Sequence, residues 1–204
     1  DIDVKYLCLF DTSHIPEFTR FMDSDVDCVP SVMQLIGIID IYTANLLRIL
    51  GITMYQNEIV GIITLFAGYK LKTNPFKYMF KDVTSLIIDK TGQNLPSQSN
   101  ELLQIGENQC VFMWIDFVDH GIRKSHCVCL VRNTSLVRNT KGVLQVIDPQ
   151  SPPAQRIIDI DPYLSSTGYT IISIQLLYRN NKTLTKEELE DMGFTGLDGS
   201  ANLL

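Results

Sequence analysis

Near residue 109 the apolar residues change from helical spacing to the short β-branched and aromatic runs of strands. That switch predicts an α+β chain, with a helical half over about 25–92 and an antiparallel sheet half over about 109–180. In the first half Val32, Met33, Leu35, Ile36 and Ile39 recur at helical intervals after Asp27-Cys28-Val29-Pro30. Pro30 suits a first helical turn, where a missing N–H costs nothing. Further helices are predicted over 42–50, ended by Gly51; over 57–67, capped by Asn57 and stopped by Gly68; and over about 77–90. In the second half, strands are predicted over 110–118, 125–132, 142–147 and 169–179, with a tight turn at His120-Gly121. A further short extended segment is predicted over 4–10, and a helix start at Thr185-Lys186-Glu187-Glu188. The polar stretch 93–108 reads as a surface connection.

With 204 residues the chain is one domain or two small lobes. The net charge of −6 and pI near 5.0 argue against a nucleic-acid partner, which calls for a basic surface. The apolar run 59–68 is too short for a bilayer, whose core needs about 20 helical residues, so no membrane span is expected. Residues 1–10 lack the pattern of a secretory signal. The opening Asp1 suits a processed product or an excised domain, so the missing leader carries little weight. Five cysteines without framework spacing fit reduced thiols in a cytoplasmic setting, the chain's own or a host's.

Cys28 carries the chemistry of most interest. A cysteine attacks a carbonyl as thiolate, and its pKa falls at a helix N-terminus or beside an imidazolium. The first device is written into the sequence around Cys28. For the second there are three histidines: His14 in a polar connector, His120 in the hairpin turn, and His126 in the apolar run Ser125-His126-Cys127-Val128-Cys129-Leu130. A histidine in a strand needs partners, and the following strand ends at Asp148-Pro149-Gln150. A carboxylate there can accept from one ring nitrogen and fix the useful tautomer. Strand phase points His126 to one face and Cys127 and Cys129 to the other, which argues against a zinc site using all three. No metal or other cofactor is called for.

The order Cys, His, Asp on one helix and two neighbouring strands resembles the papain-like cysteine peptidases. The resemblance is closest to compact branches: bacteriocin-processing peptidases, papain-fold toxin or effector domains, and deubiquitinases. It rests on Asp27-Cys28, His126 and Asp148-Pro149-Gln150, and covers about 25–180. It implies Cys28 as nucleophile, His126 as general base then acid, and Asp148 as orienting group. The glutamine that many such enzymes place before the cysteine is missing, since the first glutamine is Gln34. The oxyanion would then rely on the 24–28 turn, with Ser24 or Asp25, the latter at the spacing used by ovarian-tumour-type deubiquitinases. Gln150 would support the site or cap its turn, and Phe112, Trp114 and Phe117 would form core or cleft wall. The expected partner is a protein or peptide substrate, a ubiquitin-like tail among the candidates. The same triad would also serve a protein glutamine deamidase or acyltransferase, and the missing glutamine suits a papain-like interaction module without catalysis.

Overall fold

A computed structural model describes residues 26–51, 56–71, 76–86, 96–103, 105, 110–133, 143–166 and 168–191. The segment 4–10 and His14 lie outside them. Helix α1 (Cys28–Leu35) starts at Cys28 and buries Val29, Pro30, Ser31, Val32, Met33 and Leu35. Helix α2 (Ile41–Leu50) is capped by Asp40, whose carboxylate accepts from the Thr43 N–H at 2.7 Å. It ends at Gly51 with φ 59°, the left-handed closure that glycine adopts without a Cβ penalty.

Helix α3 (Gln56–Leu71) departs from expectation at both ends. It begins one residue before Asn57 and runs through Gly68. One glycine costs a helix about 1 kcal/mol relative to alanine. That is too little to end a helix anchored by fully buried Ile59 and Ile63.

Six strands form one antiparallel sheet in the order β1-β6-β2-β3-β4-β5. They are β1 (Phe76–Asp82), β2 (Cys110–Asp119), β3 (Ile122–Asn133), β4 (Val143–Ile147), β5 (Ile157–Asp159) and β6 (Thr170–Thr183). Four or more were expected, with four of them located in the sequence, and β5 is an additional edge strand of three residues. The larger correction is β1, where a helix over 77–90 was expected. Phe76-Lys77-Tyr78-Met79-Phe80-Lys81 alternates aromatic with Lys or Met, and β6 supplies the partner that turns this into a strand. Tyr78 is buried accordingly, while Met79 is exposed. At the β2–β3 hairpin both central residues have positive φ, His120 at 49° and Gly121 at 79°, as a two-residue turn matching strand twist requires.

The sheet carries a core on each face. Helices α1 to α3 cover the side that holds Phe112, Trp114, Cys127, Cys129 and Val131. The opposite side holds Met113, Ile115, Val128 and Leu130, with Ile160 and Tyr163 of α5 (Ile160–Ser166). The described part of the 93–108 stretch also belongs here and is more than a surface link. Leu102, in the short helix α4 (Asn100–Leu103), and Ile105 are both buried. Arg132 donates to their carbonyls at 2.7 and 2.6 Å. Helix α6 (Lys186–Asp191) opens on a reciprocal cap, with Thr185 Oγ1 accepting from the Glu188 N–H and Glu188 from the Thr185 N–H. The chain is therefore α+β, with three helices ahead of a sheet whose other five strands follow β1. No helix among the described residues is long and apolar enough to cross a membrane.

Candidate active site

Strands β3 and β4 part company at the site. Their pairing runs from Asn133↔Val143 to Cys129↔Ile147, so β3 extends past the end of β4 and exposes an edge before Cys129. The chain leaves β4 at Ile147 and turns at once, with the Ser151 N–H donating to the Asp148 carbonyl at 3.1 Å. This turn aims the Asp148 carboxylate back at β3, where Oδ2 lies 2.7 Å from His126 Nε2. Asp148 Oδ1 accepts from the Gln150 N–H at 3.0 Å, and Tyr163 Oη donates to Oδ2 at 3.4 Å.

Helix α1 brings Cys28 to the same edge. The Cys28 thiol shares hydrogen bonds with the side chains of both His126 and Cys127, and the Cys127 backbone N–H donates to it. Those neighbouring side chains point to opposite faces, Cys127 into the core under α1 and His126 into the cleft on the other side. A sulfur that meets both must sit beside the strand edge. With Nε2 committed to Asp148, the Nδ1 side of the ring is left for Cys28.

The three groups shift one another's protonation. The Cys28 pKa falls to about 5: the Cys127 hydrogen bond is the largest cause, and the His126 hydrogen bond and charge add to it against the cost of burial. Burial works against a charged His126. The hydrogen bond to Asp148, then that to Cys28 and both charges, outweigh it and raise the pKa to about 9. Burial likewise opposes the Asp148 carboxylate, but His126 and the Gln150 N–H hold its pKa below the usual range. Burial and the adjacent Cys28 push Cys127 well up, so it remains a thiol and a donor. At neutral pH the arrangement favours thiolate beside imidazolium, the pairing that makes a cysteine nucleophilic.

Behind Cys28 lies a buried ion pair. Asp27, the residue before Cys28, receives Arg48 Nε of α2 on Oδ2 at 2.8 Å, and both side chains are fully excluded from solvent. Ser31 Oγ donates to the same oxygen at 3.0 Å, and Gln150 Nε2 donates to Oδ1 at 2.8 Å. Asp27 precedes α1 without capping it through its side chain.

On the His126 face a cleft of about 590 Å³ opens between the Asp148 turn and α5. His126, Asp148, Gln150 and Tyr163 line one part of it. Phe117 and Tyr169, stacked with ring centroids 4.3 Å apart, line another. Phe117 is thus a cleft wall, whereas Phe112 and Trp114 belong to the core under α1.

Of the residues singled out in the sequence, the structure brings Cys28, His126, Asp148 and Gln150 together. Ser24 and Asp25 lie outside the described residues. His120 sits in the hairpin turn with its ring exposed and Nδ1 2.7 Å from Asp119 Oδ1, away from the Cys28 cluster. Sequence reasoning passes over Cys127, weighed only as a metal ligand, and over Arg48, Asp27 and Tyr163 as contributors. Arg48 carries a faint signal, a lone cation among the apolar residues that close α2. Compared with known proteins, the chain matches no protein-family model and no curated protein.

Proposed function

We propose that this chain is a thiol-dependent amide hydrolase of papain-like type, a cysteine peptidase or isopeptidase acting through an acyl-enzyme on Cys28. The observation that carries this reading is the meeting of Cys28, His126 and Asp148 at one strand edge beside an open cleft. The Cys28 thiolate attacks the substrate carbonyl, and His126 passes its proton to the leaving amine. Neutral His126 then takes a proton from water, whose attack on the thioester releases the acid, expels Cys28 as thiolate and so restores the thiolate–imidazolium pair. Asp148 keeps Nε2–H occupied throughout and stabilises the imidazolium. The N–H groups opening α1 are suited to meet the negative charge developing on the carbonyl oxygen. An extended protein or peptide segment is the substrate this cleft suits, and a ubiquitin-like tail is one member of that class.

Iodoacetamide labelling at pH 6 with peptide mapping tests the reading. Cys28 is expected to label far faster than the other four cysteines, and Cys28→Ala to remove that signal along with any hydrolysis. A Cys28 that reacts like an ordinary thiol, with pKa about 8.5, overturns the reading. A one-dalton gain on a target protein without chain cleavage reassigns the same triad to deamidation.

A further inference from the structure

We infer that Gln150, backed by the buried Asp27–Arg48 pair, is a positioning residue that holds the nucleophile helix in register with the His126–Asp148 pair. The inference rests on the thiol-hydrolase reading and adds to it the device that sets the distance between its two halves. Cys28 arrives on α1, whereas His126 and Asp148 arrive on the sheet and its turn. Helix α1 lies on β3 through Val29, Val32, Met33 and their core neighbours. Such contacts are non-directional and do not define where along the sheet a helix end must stop. Directional bonds at that end do.

Gln150 supplies them from both of its nitrogens. Its backbone N–H holds Asp148 Oδ1 at 3.0 Å, and its carboxamide Nε2 holds Asp27 Oδ1 at 2.8 Å. One residue thus joins the carboxylate that orients His126 to the carboxylate next to Cys28. It does so as a neutral donor, which lets two acidic groups share a small volume.

Asp27 is itself immobilised. Arg48 reaches it through Nε, while Nη2 donates to Ser31 Oγ and Gln34 Oε1, both at 3.0 Å, and Nη1 to Asn45 Oδ1 at 2.8 Å. The guanidinium fork therefore fixes α1 against α2. A buried ion pair often adds less stability than an apolar pair of the same volume. What it adds here is direction: a chain of polar contacts runs Arg48, Asp27, Gln150, Asp148, His126 and ends at the imidazole.

The test uses the full chain with Gln150→Leu, which keeps the volume and loses the donor, and Gln150→Glu, which places a third carboxylate between Asp27 and Asp148. Gln150 is only partly buried, so both variants are suited to fold. Cys28 labelling by iodoacetamide is followed from pH 4 to 10 alongside thermal melting. In both variants the acidic midpoint of labelling is expected to move up by about one pH unit or more, which slows labelling about tenfold below the parent midpoint. A merely stabilising Gln150 would lower the melting temperature and leave the midpoint where it is, and that outcome overturns the inference. A parent protein with no acidic midpoint overturns the hydrolase reading and this inference with it. The two failures are therefore told apart by the parent alone.

Discussion

His126 Nε2 lies 2.7 Å from Asp148 Oδ2, on a strand and at the end of its neighbour, 22 positions apart in the chain. The two side chains are mostly shielded, with 19% and 11% exposure, so the contact is not a screened surface pair. It favours a protonated, half-buried imidazole beside Cys28 over a definite range of pH.

Cys28 is depressed to about 5 and His126 raised to about 9. The thiolate is lost as pH falls through the lower value, and the imidazolium is lost as pH rises through the upper one. On the proposed hydrolase reading, turnover of a peptide or isopeptide substrate should therefore follow a bell with limbs near those two values. Alkylation needs only the thiolate, so it should keep the acidic limb and show no fall on the alkaline side. Initial rates from pH 4 to 10 check both. An acidic limb near the ordinary thiol value would mean that the pair does not form.

Cys127 should matter more to the reactivity of Cys28 than its burial suggests. Its thiol bond to Cys28 is the largest cause of the depressed pKa. Cys127→Ala should raise the acidic midpoint of labelling, each unit slowing the reaction about tenfold at pH 4. Removing the sulfur from a fully buried position should also cost about 1 kcal/mol. Cys127→Ser keeps a donor and should hold the midpoint near that of the parent. If the alanine variant does so too, His126 and the backbone N–H of residue 127 sustain the thiolate without the neighbouring thiol.

The Asp27–Arg48 pair should show the asymmetry of buried charge. Arg48→Met leaves the Asp27 carboxylate excluded from water without its cation, at a cost of about 3–5 kcal/mol. Combining it with Asp27→Asn removes the stranded charge and should recover most of that loss. Urea denaturation of both single variants and the double variant measures the coupling, and strictly additive losses would contradict it.

Much of the fold is legible in the chain's local patterns. The start of α1 at Cys28, the Gly51 stop and the four strands β2, β3, β4 and β6 follow from residues within a few positions of one another. So does the strand phase that sends Cys127 and Cys129 under α1 and Val128 to the other face. Local periodicity and turn chemistry carry that information, because backbone conformation and side-chain direction are set locally.

Other features depend on distant partners. Phe76–Asp82 permits a helical or an alternating reading, and pairing with β6, about a hundred residues on, decides for the strand. Leu102 and Ile105 look like part of a polar connection until Arg132 and the core on the α5 side of the sheet draw them in. The sequence by itself marked Cys28, His126, Asp148 and Gln150 as the residues to watch. That Gln150 would reach Asp27 across 123 positions, and that Cys127 would meet Cys28, only the tertiary structure decided. Such contacts depend on how helix and sheet come to rest on each other, and no short stretch of chain contains that information.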